Sequence, residues 1–326
     1  MKQITFKERK MIEKMLKQGM GIRAIGRALE RGHSTISDEI RKNKSPHESC
    51  YSADLAQGRH ERRQLNKGNK KKLDRRKWLK RYVIEKLEED WSPEQIAGTL
   101  KVEYGITLIS HETIYQFIYS EEGKKLRLWL HLRRKDRPKR KPRAARKSRK
   151  GHVIKDRVSI HQRPEEADER KRLGDLETDS MIFSQQKPIL SVQVDRACQK
   201  CALTKLDDKT AAETKYALVR AIEEEYATVH TLTHDNGSEN VLHTEIRDTY
   251  EIQTYFCDPY CSWQKGLVEQ INGLIRQYLP RNTNMSNVTQ DQIYEIQEKL
   301  NNRPRKSLGF KTPNQVYASL IESGRF

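Results

Sequence analysis

The stretch that decides the fold is residues 233–280, which read THDNGSENVLHTEIRDTYEIQTYFCDPYCSWQKGLVEQINGLIRQYLP. A strand-like run ends at Asp235, and the Asn236-Gly237 pair that follows favours a sharp turn. Further along, residues 262–279 have apolar residues at helical spacing, so they predict an amphipathic helix. Glu269 lies on the polar face of that helix, with thirty-three residues between it and Asp235. The other polar residues in line on that face are Lys265, Asn272 and Arg276.

A third acid lies upstream, in the first predicted strand of the same region. Side chains alternate along a strand, so Asp175, Glu177 and Asp179 share one side of it. Carboxylates brought together at a sheet edge repel each other unless a cation neutralises them or one takes a proton. Mg²⁺ binds carboxylate and phosphate oxygens, and two such ions can drive phosphoryl transfer. We therefore expect Asp179, Asp235 and Glu269 to hold Mg²⁺, or Mn²⁺ as a substitute, for chemistry on nucleic acid.

The helix and the strand each leave an alternative open. Taken alone, Glu269 could lie on a solvated helix face as a weak ion-pair partner of Lys265. On the strand, Asp175 or Glu177 could also touch the metal. If Glu269 does hold metal, its neighbours are predicted to hold the phosphates of DNA; these are Lys265, Asn272 and Arg276.

The elements around these acids predict an α/β sheet with helices on its faces. Three strands come first, and helices then alternate with strands. The predicted strands cover residues 173–183, 188–194, 202–206, 229–233 and 252–256. The predicted helices cover residues 210–226, 239–250, 262–279 and 290–300, with a short helix after Thr312-Pro313. Ligand sites in such sheets gather at strand ends.

Positive charge is concentrated in the first half of the chain. The protein has 64 Lys and Arg against 45 Asp and Glu, a net charge of +19. Residues 1–164 hold 44 basic and 20 acidic residues, whereas residues 165–326 hold 20 and 25. The densest basic stretches are 59–81 and 133–157. This segregation predicts a polyanion-binding half joined to a half with another task. The alternative is that the basic stretches are solvated linkers.

The first 45 residues predict a helix-turn-helix domain. Thr5 and Glu8 form a capping box that opens a first helix, and a second short helix follows. A third helix over residues 35–42 has Ser34 as its cap and can enter the major groove of DNA. The residues predicted to contact DNA are Ser34, Thr35, Ser37 and Arg41. The alternative is an ordinary three-helix bundle.

A second helix-turn-helix-like unit follows a basic stretch. Ser92 and Gln95 form another capping box with Pro93 at the first helical position, and Ser110 caps the next helix. The basic stretches on both sides are poor in large apolar residues, which predicts linkers or weakly ordered helix. The predicted domains are 1–45 (helix-turn-helix), 46–81 (basic linker), 82–122 (second helix-turn-helix-like unit), 123–164 (basic linker) and 165–326 (catalytic core).

The composition also bears on the compartment and on zinc. No apolar stretch approaches the roughly 20 residues of a membrane span, and no signal-peptide core is present at the N-terminus. We therefore expect a soluble intracellular protein without a membrane partner. The five cysteines are expected to be free packing residues. Zinc is the less favoured alternative for the two close pairs, Cys198 with Cys201 and Cys257 with Cys261.

Matches to a known family extend over nearly the whole chain. They begin with ITFKERKMIEKMLKQGMGIRAIGRAL and STISDEIRKN, and continue with WSPEQIAGTL and ISHETIYQFIY. The last four are GDLETDSMI, THDNGSEN, DPYCSWQKGLVEQINGLIRQYLP and LNNRPRKSLGFKTPNQVY, which are specific as a set. Together these stretches resemble the DDE transposases of bacterial insertion sequences, specifically the IS-thirty family.

The resemblance implies a multidomain protein, in which all-α helix-turn-helix units precede an α/β ribonuclease-H-like, integrase-type catalytic core. It implies Asp179, Asp235 and Glu269 as a metal-binding catalytic triad. It further implies double-stranded DNA as the partner, both element ends and target, with inverted-repeat recognition by the N-terminal domain. Strand cleavage and transfer would take place in a homo-oligomeric synaptic complex. The expected location is the bacterial cytoplasm, in association with the nucleoid.

Two positions depart from the family's pattern. Asp38 stands where family members usually have Arg, and an acid there would repel phosphate. The stretch Gly174-Asp-Leu-Glu-Thr-Asp179 replaces the usual Gly-His-Trp-Glu-Gly-Asp, which adds an acid at Asp175. Two other functions are compatible with the residues. One is a sequence-specific DNA-binding repressor with a non-catalytic core, and the other is a structure-selective nuclease that hydrolyses DNA without joining it.

Overall fold

The structure is a computed structural model that describes residues 3–43, 51–65, 72–133 and 154–325. The chain divides into two compact units, Met1–Arg75 and Arg76–Phe326. Within the described ranges, no helix is both long enough and apolar enough to cross a lipid bilayer.

The first unit is helical, as the sequence predicts. Its hydrophobic core centres on Ile12, Ile25 and Ile36, which are fully buried. The predicted capping box at Thr5 is present. The third helix begins at His33, so Ser34 lies in its first turn instead of capping it. The helices are α1 (Phe6–Lys17), α2 (Ile22–Ala28), α3 (His33–Asn43), α4 (Ala53–Leu65) and α5 (Lys72–Arg75).

Helix α4 lies inside the stretch 46–81 that the sequence predicts as a basic linker. The helix packs on α1, and the side chains of Tyr51 and Ala56 join the core. Arg9 is 2% exposed and donates to Glu39 of α3 at 2.7 Å and to Gln57 of α4 at 2.6 Å. Helix α4 is held by a buried polar network and by small side chains. Its sequence therefore lacks the pattern of large apolar residues that would predict a packed helix. The folded unit therefore extends beyond the predicted boundary at residue 45.

The second unit begins with four helices, which are α6 (Lys77–Glu88), α7 (Pro93–Tyr104), α8 (His111–Ile118) and α9 (Glu121–Lys125). Helix α7 has the predicted capping box between Ser92 and Gln95, and it ends at Gly105 in the left-handed conformation (φ 68°). Gln95 also donates to the Pro304 carbonyl at 2.6 Å. The helix-turn-helix-like pair α7–α8 is therefore folded into the same unit as the sheet.

Five strands form one sheet, in the spatial order β3-β2-β1-β4-β5. The strands are β1 (Asp175–Met181), β2 (Ile189–Asp195), β3 (Cys201–Leu206), β4 (Thr231–His234) and β5 (Gln253–Phe256). Strand β2 is antiparallel to both β1 and β3, and β4 and β5 run parallel to β1. This order and these directions are those of ribonuclease-H-like, integrase-type cores, which confirms the predicted fold class.

Helices cover both faces of the sheet. The helices of this region are α10 (Glu165–Glu169), α11 (Ala211–Arg220), α12 (His243–Tyr250), α13 (Gly266–Tyr278), α14 (Gln290–Asn301) and α15 (Pro313–Glu322). On one face, Val192 of β2 and Leu203 of β3 pack against α13 and α14. On the other face, Leu176 of β1 and Leu232 of β4 pack against α11 and α12. Burial of apolar side chains on both faces fixes the central strand β1 in place.

Several predicted segments differ in the structure; the helix predicted over 239–250, for example, begins at His243. The helix predicted over 262–279 begins at Gly266, because Ser262–Lys265 form a tighter 3₁₀ turn before it. Part of the predicted linker 123–164 also belongs to the second unit, since Ser159 pairs with Phe256 beside β5. Residues 134–153, which contain most of the second basic stretch, lie outside the described residues.

Candidate active site

Asp179 and Asp235 lie near the same end of two neighbouring parallel strands. Asp179 is on the central strand β1, and Asp235 directly follows β4. Both acids line one narrow cleft, whose walls also include Ser180, Ser191 and Asn240. The carboxyl ends of parallel strands meet at one edge of a sheet, which is where ligands of such folds bind. The structure thus brings these two predicted residues together.

A buried cation lies between the two acids. Lys265 is 5% exposed, and its Nζ is 3.4 Å from Asp179 Oδ1 and 3.8 Å from Asp235 Oδ2. The same Nζ donates to the Thr178 carbonyl at 2.7 Å. Burial lowers the pKa of Lys265, but the charges of Asp179 and Asp235 outweigh burial, so the pKa is raised overall. Lys265 is therefore an internal counter-ion here, whereas the sequence predicts a DNA contact.

The turn after β4 holds Asp235 in place. Asp235 Oδ1 accepts a hydrogen bond from the Gly237 N–H at 3.1 Å and another from Asn240 Nδ2 at 3.0 Å. Burial raises the pKa of Asp235, but Lys265 and the Gly237 N–H outweigh burial, so the pKa lies below its usual value. A Cβ at position 237 would meet the Glu239 carboxylate, so a larger residue there would require that side chain to shift. Asp235 is therefore an ionised carboxylate in a fixed position.

Helix α13 turns its polar face toward the end of β1. Asn272 Nδ2 donates to Asp179 Oδ2 at 2.6 Å, so Asn272 is a partner of the acid. Arg276 donates to the Ile182 carbonyl at 2.9 Å, and its guanidinium lies 4.4 Å from the centre of the Phe183 ring. Both residues are on the predicted face of the helix. In this structure they contact the protein, whereas the sequence predicts that they contact DNA.

Glu269 lies one helical turn before Asn272 on α13, and its side chain is exposed. Within the described ranges, no three His, Cys, Asp or Glu side chains are arranged so that they could hold a metal ion. The structure therefore gathers Asp179 and Asp235 around Lys265 and leaves Glu269 outside that cluster.

The groups around Asp179 nevertheless fit a hard divalent cation. All the candidate donors are oxygens, which Mg²⁺ prefers. Asn272 Oδ1 is buried without a hydrogen-bond partner, although buried polar atoms are almost always paired. The Lys265 ammonium already places one positive charge between the two carboxylates. Asp179, Asp235 and Asn272 thus form an oxygen-rich site that is balanced by a cation.

Glu177 has a different task from Asp179, although both lie on the same side of β1. The Glu177 side chain is fully buried, and its Oε1 accepts from Arg196 Nη1 at 2.5 Å. Its Oε2 accepts from the backbone N–H groups of Leu267 and Val268, at 3.1 and 3.0 Å. A carboxylate at a helix N-terminus is stabilised by the unpaired N–H groups there. Glu177 therefore fixes the start of α13 on the sheet.

Asp175 also forms its hydrogen bonds away from the cleft. It is 1% exposed, and Arg172 donates to both of its oxygens, at 3.0 and 3.2 Å. Thr231 Oγ1 donates to Asp175 Oδ1 at 2.8 Å. Each oxygen of Asp175 and of Glu177 accepts at least one hydrogen bond, so we assign neither residue to metal. Sequence reasoning missed these roles because the arginine partners carry no local motif.

The predicted DNA-contact residues on α3 are accessible to different degrees. Ser34 is exposed, whereas Thr35 and Ser37 are half-buried. Arg41 pairs with Asp38 at 2.5 Å, and Lys42 also lies within ion-pair distance of Asp38. Asp38, the residue that departs from the family's pattern, therefore has its charge offset within its own helix.

The buried cysteines pack as the sequence predicts. Cys198, Cys201 and Cys257 are buried free thiols. Burial raises the pKa of Cys201 to about 12, so the thiol stays protonated at neutral pH.

Comparison with known proteins gives a family match at the N-terminus and a likeness to a solved structure. A helix-turn-helix domain family matches residues 1–43. Among solved structures, the catalytic core domain of HTLV-2 integrase in complex with magnesium aligns at 22% identity with a TM-score of 0.35. That alignment covers 44% of this chain and 95% of that one.

Relatives that match over nearly their full length are transposases. The chain is 39% identical to the transposase for insertion sequence element IS4351 of Bacteroides fragilis, over 98% of this chain and 97% of that one. It is 35% identical to transposase InsI for insertion sequence element IS30A of Escherichia coli K12, over 96% and 82%. Identity at this level over almost the whole length shows that the chain belongs to the IS-thirty (IS30) family of insertion-sequence transposases.

Proposed function

We propose that this transposase recognises the terminal inverted repeats of its element and cleaves and transfers DNA strands by metal-dependent chemistry at Asp179, Asp235 and Glu269. The observation that carries the proposal is the meeting of Asp179 and Asp235 around the Lys265 ammonium. Two carboxylates close to each other need a cation to remain ionised together. A site built this way can exchange its internal cation for a divalent one.

Glu269 is the third member of the proposed triad because of its place on α13. It lies one turn before Asn272, whose amide contacts Asp179. In the described part of the chain its carboxylate has no ion-pair partner, so no protein contact has to be broken for it to reach the cleft. The Glu177 carboxylate ties the first turn of α13, the turn that contains Glu269, to β1.

The residues of this chain prepare the reaction by position and charge. Bound to the oxygens of the triad, Mg²⁺ or Mn²⁺ would activate the attacking oxygen and neutralise charge on the phosphodiester. Asn272 orients Asp179, and the turn at Gly237 orients Asp235. Lys265 offsets the charge of both acids in the metal-free protein. Direct in-line attack on phosphorus needs no covalent enzyme intermediate.

DNA recognition is assigned to the first unit, with α3 as the helix that reads the major groove. The basic excess of residues 1–164 supports this assignment, because the second half of the chain is net acidic and cannot attract DNA by charge alone. We further propose that the chain acts as a homo-oligomer. Each chain contributes one triad, whereas a synaptic complex holds two element ends together with target DNA.

The test is a strand-transfer assay with full-length protein and a DNA substrate that carries the element ends flanking the gene. Asp235→Asn and Glu269→Gln are expected to lower strand transfer by about a thousandfold, on the scale of losing one essential electrostatic group. Both variants should still bind DNA. Chelation of divalent metal should abolish wild-type activity, and Mg²⁺ or Mn²⁺ should restore it.

Glu295→Gln is the matched control, because Glu295 is an exposed glutamate on the neighbouring helix α14. It should keep wild-type activity. Strand transfer that persists in Asp235→Asn with Mg²⁺ or Mn²⁺ present would reject the triad. Wild-type protein that binds DNA without metal-dependent cleavage would support a repressor instead. Cleaved DNA without joined products on the gel would support a nuclease.

A further inference from the structure

A second cleft, of about 600 Å³, lies between the start of α7, the start of α13 and the chain around residues 305–310. It shares no lining residue with the cleft of Asp179 and Asp235. Gly266 and Leu267, which directly follow Lys265, form part of its wall. The first turn of α13 therefore borders the second cleft, and Lys265, the residue just before it, contacts both acids.

The charged walls of this second cleft are mostly cationic. Four basic side chains line it, against one acid, Glu94; the basic residues are Arg133, Arg170, Arg305 and Lys306. Glu94 is already paired with Lys306 at 2.6 Å. Among the residues that the structure describes, no carboxylate lies within ion-pair distance of Arg170 or Arg305. Arg170 and Arg305 therefore carry positive charge that no described carboxylate offsets at ion-pair distance.

Two polar side chains in the same walls are deeply buried and incompletely paired. Arg305 is 5% exposed; its Nη2 donates to the Leu300 carbonyl at 2.9 Å, but its Nε has no partner. Gln199 is also 5% exposed; its Nε2 donates to Ser307 Oγ at 2.9 Å, but its Oε1 has no partner. Buried polar atoms are rarely left unpaired. Water can satisfy a single atom, but it does not balance the positive charge.

We propose that this cleft binds a nucleotide unit of the DNA strand, with the phosphodiester on Arg170 and Arg305 and an N–H or O–H donor of the nucleotide on Gln199. The inference rests on the proposed function, since that function brings DNA to the neighbouring cleft. Guanidinium groups match the geometry of phosphate oxygens. The volume lies in the range of clefts that hold small organic groups. A nucleotide supplies both the anion and the donor that the walls lack.

The position of the second cleft next to Lys265 explains why it would hold the DNA strand. Lys265 contacts the two acids, and the next two residues of the chain line the second cleft. A DNA strand that crosses the first turn of α13 can therefore be held in the second cleft while a neighbouring phosphodiester lies at the acids. The cleft is a holding site for the strand, and the acids carry the chemistry.

The test compares Arg170→Gln with Lys171→Gln in the full-length protein. Lys171 is the next residue, loses the same charge, lies outside the cleft walls and pairs with Glu169 at 2.9 Å. Binding to a fluorescent duplex that carries one element end is measured without divalent metal over a range of salt concentrations. Arg170→Gln should weaken binding about fivefold and reduce the slope of log affinity against log salt by about 1, as for one lost phosphate contact. Lys171→Gln should stay within about twofold of wild type.

Equal affinities and equal salt slopes for the two variants would overturn the inference. A second measurement separates DNA from free phosphate, using thermal unfolding with inorganic phosphate at constant ionic strength. If phosphate stabilises wild type but not Arg170→Gln, while DNA binding is the same in both, the cleft takes a free anion and not the strand. Because binding is measured without metal, this result does not depend on strand transfer, so the inference and the proposed function can fail separately.

Discussion

Two acids lie on the same side of strand β1 but have different partners. Glu177 marks the inner end of this pair, and Asp179 marks the outer end. At the inner end, Glu177 is fully buried, with Arg196 at 2.5 Å and two helix N–H groups on its other oxygen. At the outer end, Asp179 borders a cleft and faces the Lys265 ammonium at 3.4 Å. The inner pair is short and closed, whereas the outer pair is long and borders a cleft. The partner, more than the acid itself, thus separates a structural carboxylate from one that is proposed to bind metal.

The largest effect is expected at the outer end. Asp179→Asn should lower strand transfer by about a thousandfold, because the charge that would bind metal is lost. The free energy of unfolding should change by less than about 1 kcal/mol, because Asn keeps the shape and the site loses one of two like charges. The assay is joined product per unit time, with urea unfolding in parallel. An active Asp179→Asn variant would place the metal-binding acid elsewhere on β1.

At the inner end the main effect should be on stability. Glu177→Gln leaves the Arg196 guanidinium buried without its carboxylate, so the free energy of unfolding should fall by about 3 kcal/mol. Urea unfolding measures this loss, and calorimetric titration with Mn²⁺ should give wild-type affinity for the folded protein. The opposite result, normal stability with weakened Mn²⁺ binding, would make Glu177 a metal ligand and reverse the comparison.

Replacing the internal cation sharpens the difference between the two ends. Lys265→Met leaves Asp179 and Asp235 without a counter-ion. The free energy of unfolding of the metal-free protein should therefore fall by about 2 kcal/mol. Mn²⁺ should bind about tenfold more tightly, because no ammonium competes for the carboxylates. Urea unfolding with and without Mn²⁺, together with calorimetric titration, measures both effects. Unchanged Mn²⁺ affinity would mean that the ammonium does not lie where the metal binds.

The smallest effect concerns Asp175. Thr231→Val keeps the side-chain shape but removes the hydrogen bond to Asp175 Oδ1, which should reduce the free energy of unfolding by about 1.5 kcal/mol. Binding of Mn²⁺ should be the same as in wild type. A change in Mn²⁺ affinity would connect Asp175 to the metal site and weaken its assignment as a structural acid.

Much of this arrangement could be predicted from local patterns in the sequence. Alternation along β1 correctly placed three acids on one side, and the Asn236-Gly237 turn correctly placed Asp235 at a strand end. The different tasks of the three acids could not be predicted. Their partners come from other turns of the chain, and Arg196 has no periodic or motif signal that links it to Glu177.

The position of Lys265 could not be predicted from helical periodicity. The pattern extends the amphipathic helix back to residue 262 and places Lys265 on its polar face. In the structure the α-helix begins at Gly266, and Lys265 ends a tighter turn with a different angular spacing. Its side chain therefore reaches the strand ends instead of solvent. Helix boundaries depend on tertiary contacts, here the Glu177 carboxylate at the first turn of α13.

The docking of α4 has a consequence for exchanging DNA-binding units between relatives. A graft cut at residue 45 would discard Gln57 and Tyr51 and leave Arg9 and Glu39 with fewer partners in an opened core. A graft that ends after α5 carries the whole polar network with it. The unit to exchange is therefore the first 75 residues. An experiment that transfers the DNA specificity of one relative to another should move this unit intact.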